Sequence, residues 1–142
     1  MIKRLFLVLV TLLFVSGCAT SPTGRSQFIM MSDNQVNQMG LQAFDTLKSD
    51  KKISYNPQYN QATQCIAQAL VREVGGSWEV VVFDDKTRNA FALPGNKIGV
   101  HTGMLTLVQN QEQLAAVIGH EIGHVMAKHS NERASQELAV KG

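Results

Sequence analysis

Apolar positions recur at helical spacing in two stretches, alternate over a short central cluster, and fill a third stretch near the end almost completely. Val36, Met39, Ala43, Phe44 and Leu47 mark one face of a first amphipathic helix, and Ser32 with Gln35 three residues later predicts a capping box at its start. Lys48 to Pro57 reads as a polar connection. A second helix is predicted from about Gln58 to Val74 on the stripe Ala62, Cys65, Ile66, Ala69 and Leu70, closed by Gly75-Gly76 as a left-handed cap and turn. Trp78 to Phe83 is β-rich and Asp84 to Asn89 is turn-like. Ala90 to Leu93 and Lys97 to His101 predict two short strands around Pro94-Gly95-Asn96, with Phe91 and Leu93 facing inward. Asn110, with Gln113 as capping partner, opens a proline-free helix running from Gln111 to Ala127. Helices and a small strand cluster without repeats make this an α+β domain.

The last helix carries the chemistry. His120-Glu121-Ile122-Gly123-His124 places two imidazoles at i and i+4, about 40° apart on a helix surface, so both rings can reach one ion from the same side. Glu121 stands about 100° round, off the metal axis but near enough to take a proton from a water in an open zinc position. This is the arrangement of H-E-x-x-H metallopeptidases. The same five residues would also suit a core helix with two hydrogen-bonded histidines. Between Leu114 and Ala127 only these His and Glu side chains are ionisable, which predicts a helix buried nearly all round. Gly119 and Gly123 predict a smooth strip for the close approach of another backbone. His129 points about 180° away from His120 and lies about 13 Å further along a continuous helix, so a structural role is expected for it rather than ligation. His101 has no helical spacing to the pair and reads as a strand or loop residue.

The leader gives an address. Two positive charges in Met1 to Arg4 precede an apolar run from Leu5 to Val15 interrupted only by Thr11, and Val15-Ser16-Gly17-Cys18 follows. Eleven residues span about 16 Å as a helix, roughly half a bilayer core, which disfavours a permanent transmembrane span. The segment reads as an export signal, residues 1–17. It is similar to the lipobox of bacterial lipoproteins, with Cys18 as the lipidated first residue; an ordinary cleaved signal is the alternative. Ala19 after the cysteine resembles outer-membrane sorting in Gram-negative bacteria, facing the periplasm. Residues 18–31 then form the lipidated terminus and linker, Ser, Thr, Pro and Gly rich from Ala19 to Gln27, and residues 32–142 form the folded domain.

Processing changes the charge picture. Lys3 and Arg4 leave with the signal, so 13 basic side chains fall to 11 against 11 acidic ones, and nucleic acid is not an expected partner. Cys65 is then left without a disulfide partner and is expected as a small core side chain.

Asn89-Ala90-Phe91-Ala92-Leu93-Pro94-Gly95, Ile98-Gly99-Val100, Thr102-Gly103-Met104-Leu105, the His120 to His124 motif and His129-Ser130-Asn131-Glu132-Arg133 together resemble the M48 family of zinc metallopeptidases. Thr23-Gly24-Arg25 after the lipobox is similar to the lipoprotein branch of that family. The resemblance implies a zincin-like fold, helices around a small β-sheet with the H-E-x-x-H segment as active helix. It also implies Zn²⁺ held by His120 and His124, with Glu121 as the general base that activates a metal-bound water for metalloendopeptidase chemistry. Substrate is implied to lie extended along an edge strand, for which Asn89, Ala90 and Phe91 are the nominated binding residues. Unfolded or misfolded envelope polypeptides are the expected substrates, reached from a lipid-anchored position on the outer membrane.

The chain departs from that pattern in one respect. The family is expected to complete its zinc site with a glutamate from a later helix, and the chain stops at Gly142 before such an element, so it reads as an apparently truncated amino-terminal part. Glu132 and Glu137 lie about 18 and 26 Å from His120 along a continuous helix and are expected as surface or salt-bridge residues. A non-catalytic lipid-anchored polypeptide-binding module, or an inactive fragment of such a peptidase, is the alternative reading.

Overall fold

A computed structural model describes residues 18–20, 26–28, 31–128, 135–137 and 139–140. Two three-residue strands, β1 (Cys18–Thr20) and β2 (Ser26–Phe28), pair antiparallel with Cys18 opposite Phe28. The segment expected as a linker contains this local ladder, whose closure costs little because its partners are close in sequence. Helices α1 (Asp33–Asp50) and α2 (Pro57–Val74) follow, then β3 (Glu79–Phe83), β4 (Ala90–Leu93) and β5 (Lys97–His101), and finally α3 (Thr102–Leu107) and α4 (Gln111–Met126). No helix among the described residues is long and apolar enough to cross a membrane.

The helix starts follow their caps. Ser32 and Gln35 form the reciprocal capping box, with Gln35 N donating to Ser32 Oγ and Ser32 N to Gln35 Oε1. Asn56 caps α2, one residue earlier than the apolar pattern indicated, with Pro57 in the first turn where a missing N–H is harmless. Asn110 caps α4 by accepting from Gln113 N, but the Gln113 side chain accepts from Gln109 N rather than Asn110 N. The reciprocal bond has moved one residue outward.

The sheet has order β3-β5-β4, with β3 and β5 parallel and β4 and β5 antiparallel. The three-residue Pro94–Asn96 connection turns through positive φ at Gly95 and Asn96. Alternation gives the sheet two different faces. Val80, Val82, Ala90, Ala92, Ile98 and Val100 join Ala67 of α2 and Leu114, Ile118 and Ile122 of α4 in the main core. On the opposite face Phe44 of α1 meets Phe83 and Phe91 edge-on, and His101 meets the same two phenylalanines edge-on. The inward direction expected for Phe91 therefore leads to this second cluster, while the alanines of β4 face the main core. Both sides of a three-stranded sheet are covered.

Three expected helix faces are rotated. On α1 the buried residues are Val36, Gly40 and Phe44, whereas Met39 is 52% exposed and Ala43 is exposed. Gly40 is buried because the Pro94 carbonyl lies where its Cβ would be, a contact that a hydropathy pattern cannot register. On α2 the inward residues are Thr63 and Ala67, flanked by Tyr59, Ile66, Leu70 and Val71. Cys65 is exposed and is not a core side chain, because it stands about 200° round the helix from Thr63. On α4 only the stripe Leu114, Ile118 and Ile122 is buried, and the helix is not enclosed all round. Among the described residues Gly119 meets only Leu70 of α2 at 3.9 Å and Gly123 meets nothing within 4 Å, so no described backbone uses the expected strip. Salt bridges from Lys48 and Lys97 to Glu79 tie α1 to the sheet rim.

Candidate metal centre and edge strand

Helix α4 fixes the histidine pair by what it buries on the other side. Leu114, Ile118 and Ile122 are each at most 3% exposed, and burying such side chains is worth about 1.5–3 kcal/mol apiece. That stripe sets the rotation of the helix. His120 then falls on its exposed side, with Glu121 and His124 half-buried beside it. His120 Nε2 and His124 Nε2 converge to 2.9 Å, with ring planes 86° apart. Two nitrogens in tetrahedral zinc geometry, at about 2.05 Å from the ion, stand about 3.3 Å apart, so a small spreading of the rings would suit that ion. Both unprotonated Nε2 atoms would then aim lone pairs at one point. The donor set fits two of the three protein ligands of a catalytic zinc site, and among the described residues no third His, Cys, Asp or Glu joins them. Glu137 is exposed, while His129 and Glu132 lie outside the described residues.

Strand β4 is the sheet edge on the side where α4 packs. His101 N donates to Asn89 O at 2.9 Å, one position beyond the Ala90–Val100 pair, which sets the hydrogen-bonding parity of the antiparallel ladder. Phe91 opposite Gly99 and Leu93 opposite Lys97 continue that parity. The main-chain N–H and C=O groups of Ala90 and Ala92 therefore point away from β5, and no described strand pairs with them. Asn89 is exposed, Ala90 is 8% exposed and Phe91 is half-buried. Of the nominated residues only Ala90 turns its backbone groups outward; those of Asn89 are taken by Thr87 and His101, and those of Phe91 face β5. His120 and His124 share this segment's neighbouring helix.

A polar chain beside this strand was invisible to sequence spacing. Lys51 Nζ donates to Asp85 Oδ2 at 2.7 Å, the Thr87 hydroxyl lies 2.7 Å from both Asp85 Oδ1 and His101 Nδ1, and Thr87 N donates to Asp85 Oδ1 at 2.9 Å. The Lys51 hydrogen bond, reinforced by both Thr87 bonds, holds the Asp85 carboxyl well below the usual carboxylate range. Burial pushes the His101 pKa down, and the nearby Asp85 charge only partly opposes this. The four residues are spread over positions 51 to 101, and the end of α1, the connection before β4 and the end of β5 bring them together.

Comparison with known proteins identifies the family. The sequence profile of Peptidase family M48 matches residues 56–141, from the start of α2 through the histidine pair. The mitochondrial metalloendopeptidase OMA1 of Schizosaccharomyces pombe is 32% identical over 124 residues, covering 83% of this chain and 37% of that protein. The mitochondrial metalloendopeptidase OMA1 of Danio rerio is 34% identical over 131 residues, covering 84% of this chain and 27% of that one. The metalloprotease LoiP of Escherichia coli is 33% identical over 116 residues, covering 80% and 46%. The chain spans less than half the length of these curated relatives. With more than half of its residues inside the matched profile, the paired histidines among them, the chain belongs to peptidase family M48.

Proposed function

We propose that this chain carries the histidine-pair segment of a zinc-dependent metalloendopeptidase that cuts unfolded or misfolded envelope polypeptides. The observation that carries the reading is the 2.9 Å convergence of the His120 and His124 Nε2 atoms on the exposed side of a helix whose opposite side is locked into the core. His120 and His124 would hold Zn²⁺, which when bound supplies a Lewis acid for the scissile carbonyl and for water. Glu121, next in sequence to one ligand and half-buried, accepts the proton of the attacking water and returns it to the leaving amine. Ala90 and Ala92 pair their outward main-chain groups with an extended substrate, so that affinity tolerates many side-chain sequences. Such tolerance suits unfolded chains.

Cys18, behind an export signal, would carry the lipid that holds the protein on the outer membrane facing the periplasm. Replacing Cys18 by Ser should abolish incorporation of labelled palmitate.

The decisive experiment uses the full chain with a reduced, carboxymethylated protein as substrate. Glu121→Gln should keep the zinc content measured by inductively coupled plasma mass spectrometry and lose cleavage by about 10²–10⁴-fold. His120→Ala should lose zinc as well. Undiminished cleavage by Glu121→Gln would remove the general-base role, and unchanged zinc content in His120→Ala would remove the metal site.

A further inference from the structure

Residues 84–89 connect β3 to β4 across the end of β5, and the three residues that end β5 and begin α3 hold them at several points. Gly103 N and the Thr102 hydroxyl donate to Asp85 O at 2.8 and 3.0 Å, and Asp85 N donates back to Thr102 Oγ1 at 3.1 Å. A Cβ at Gly103 would collide with the Lys86 and Thr87 carbonyls, so the connection is seated directly on the first turn of α3. His101 adds two bonds of its own, its N–H to Asn89 O and its ring nitrogen Nδ1 to Thr87 Oγ1.

The tautomer of His101 follows from proton counting. Thr87 has one hydroxyl proton and two partners at 2.7 Å. Asp85, ion-paired with Lys51, can only accept, so the hydroxyl donates to Asp85 Oδ1 and accepts from His101 Nδ1–H. Nε2 is then a bare lone pair. It is buried with no hydrogen-bond partner among the described residues, and the ring stands edge-on to Phe83 and Phe91. A proton added there would face two aromatic rings, with Asp85 Oδ2 on the Nδ1 side at 3.7 Å and Lys51 beyond it.

We propose that His101, as a neutral Nδ1–H imidazole, is a positioning residue: through Thr87 and Asp85 it fixes the connection that launches β4, and so the register at which Ala90 and Ala92 meet an extended peptide. His101 touches neither substrate nor reacting atoms. It sets where the edge begins, because its own backbone and side chain grip positions 89 and 87 of the same connection. The effect on peptide affinity rests on the edge-strand reading of the proposed function; the effect on the strand itself does not.

Thr87 is exposed and can be varied without opening the core. Thr87→Val keeps the shape and deletes the hydroxyl, while Thr87→Ser restores it. In the full chain, long-range ¹H–¹⁵N correlation of His101 should give a protonated Nδ1 and a bare Nε2 in wild type and Thr87→Ser, and a mixed signature in Thr87→Val. Amide exchange at Phe91 should be about tenfold faster in Thr87→Val only, the consequence of losing one link of a buried polar chain. Binding of fluorescein-labelled, reduced and carboxymethylated α-lactalbumin, measured in the Glu121→Gln background to prevent cutting, should weaken several-fold in Thr87→Val and recover in Thr87→Ser. Wild-type exchange at Phe91 in Thr87→Val would overturn the positioning role whatever the peptide does. If instead the peptide fails to slow exchange of Ala90 and Ala92 in otherwise unaltered protein, the edge-strand reading fails, while the Phe91 result still decides the role of His101.

Discussion

Two imidazoles four residues apart are legible in any helix, but their convergence on one point depends on which rotamers the surroundings leave open. Here His120 lies on the exposed side of α4 and its Nε2 meets that of His124 at 2.9 Å. Sequence spacing placed both rings on one side and placed Glu121 beside them. It did not reveal that this side is exposed, because an apolar count round the helix cannot tell a face turned to a sheet from one turned outward. Cys65 is the clearest case of the same ambiguity: Ala62, Cys65, Ile66 and Ala69 fit a stripe, yet Thr63 and Ala67 are the residues at 0% exposure. In the folded chain Cys65 should therefore be alkylated by a maleimide as fast as in urea. Protection of Cys65, identified by peptide mass mapping, would contradict that exposure.

At the scale of elements, the boundaries follow local chemistry and the contacts do not. Ser32, Asn56 and Asn110 each accept a backbone N–H at a helix start, and all three helices begin where those caps stand. Asn110→Ala should cost about 1 kcal/mol, since it leaves the Gln113 N–H uncapped. A thermal melt unchanged from wild type would mean that another group takes over. Gly40 belongs to the other category. It lets α1 lie against the Pro94 carbonyl at the turn before β5, and Gly95 N donates to Asn37 Oδ1 at the same junction. Gly40→Ala has the better helix propensity but would push the helix off the turn, at a cost of about 1–3 kcal/mol. Denaturant unfolding decides the sign: a variant more stable than wild type would show that the junction yields.

For the molecule as a whole, the polar groups that join elements predict how stability depends on pH. The folded state resists protonating His101, because burial lowers its pKa from the ordinary 6.5, so the unfolded chain binds more protons there. Its contribution is intact above 6.5 and is lost as pH falls below that value. Glu79 is held low although burial alone would raise it, since hydrogen bonds from Lys48 and Lys97 outweigh burial, and Asp85 is held low by Lys51 and Thr87. Their contributions are present above the ordinary values of 4.5 and 3.8 and disappear as pH falls further. Melting temperatures from pH 8 to pH 3 should therefore decline in two steps, and His101→Asn should remove the first one. A single decline confined to the carboxylate range in the wild type would show that His101 titrates alike in both states.

The sequence by itself determined the α+β class, the N-caps at Ser32 and Asn110, the strands at 90–93 and 97–101, and the pairing of His120 with His124, because each depends on neighbours within a few residues. Tertiary structure alone decided which faces are buried and that Lys51, Asp85, Thr87 and His101 form one chain of hydrogen bonds. Those outcomes require residues up to 50 positions apart to meet at the end of one strand, and no local period of hydrophobicity records where a chain will cross itself.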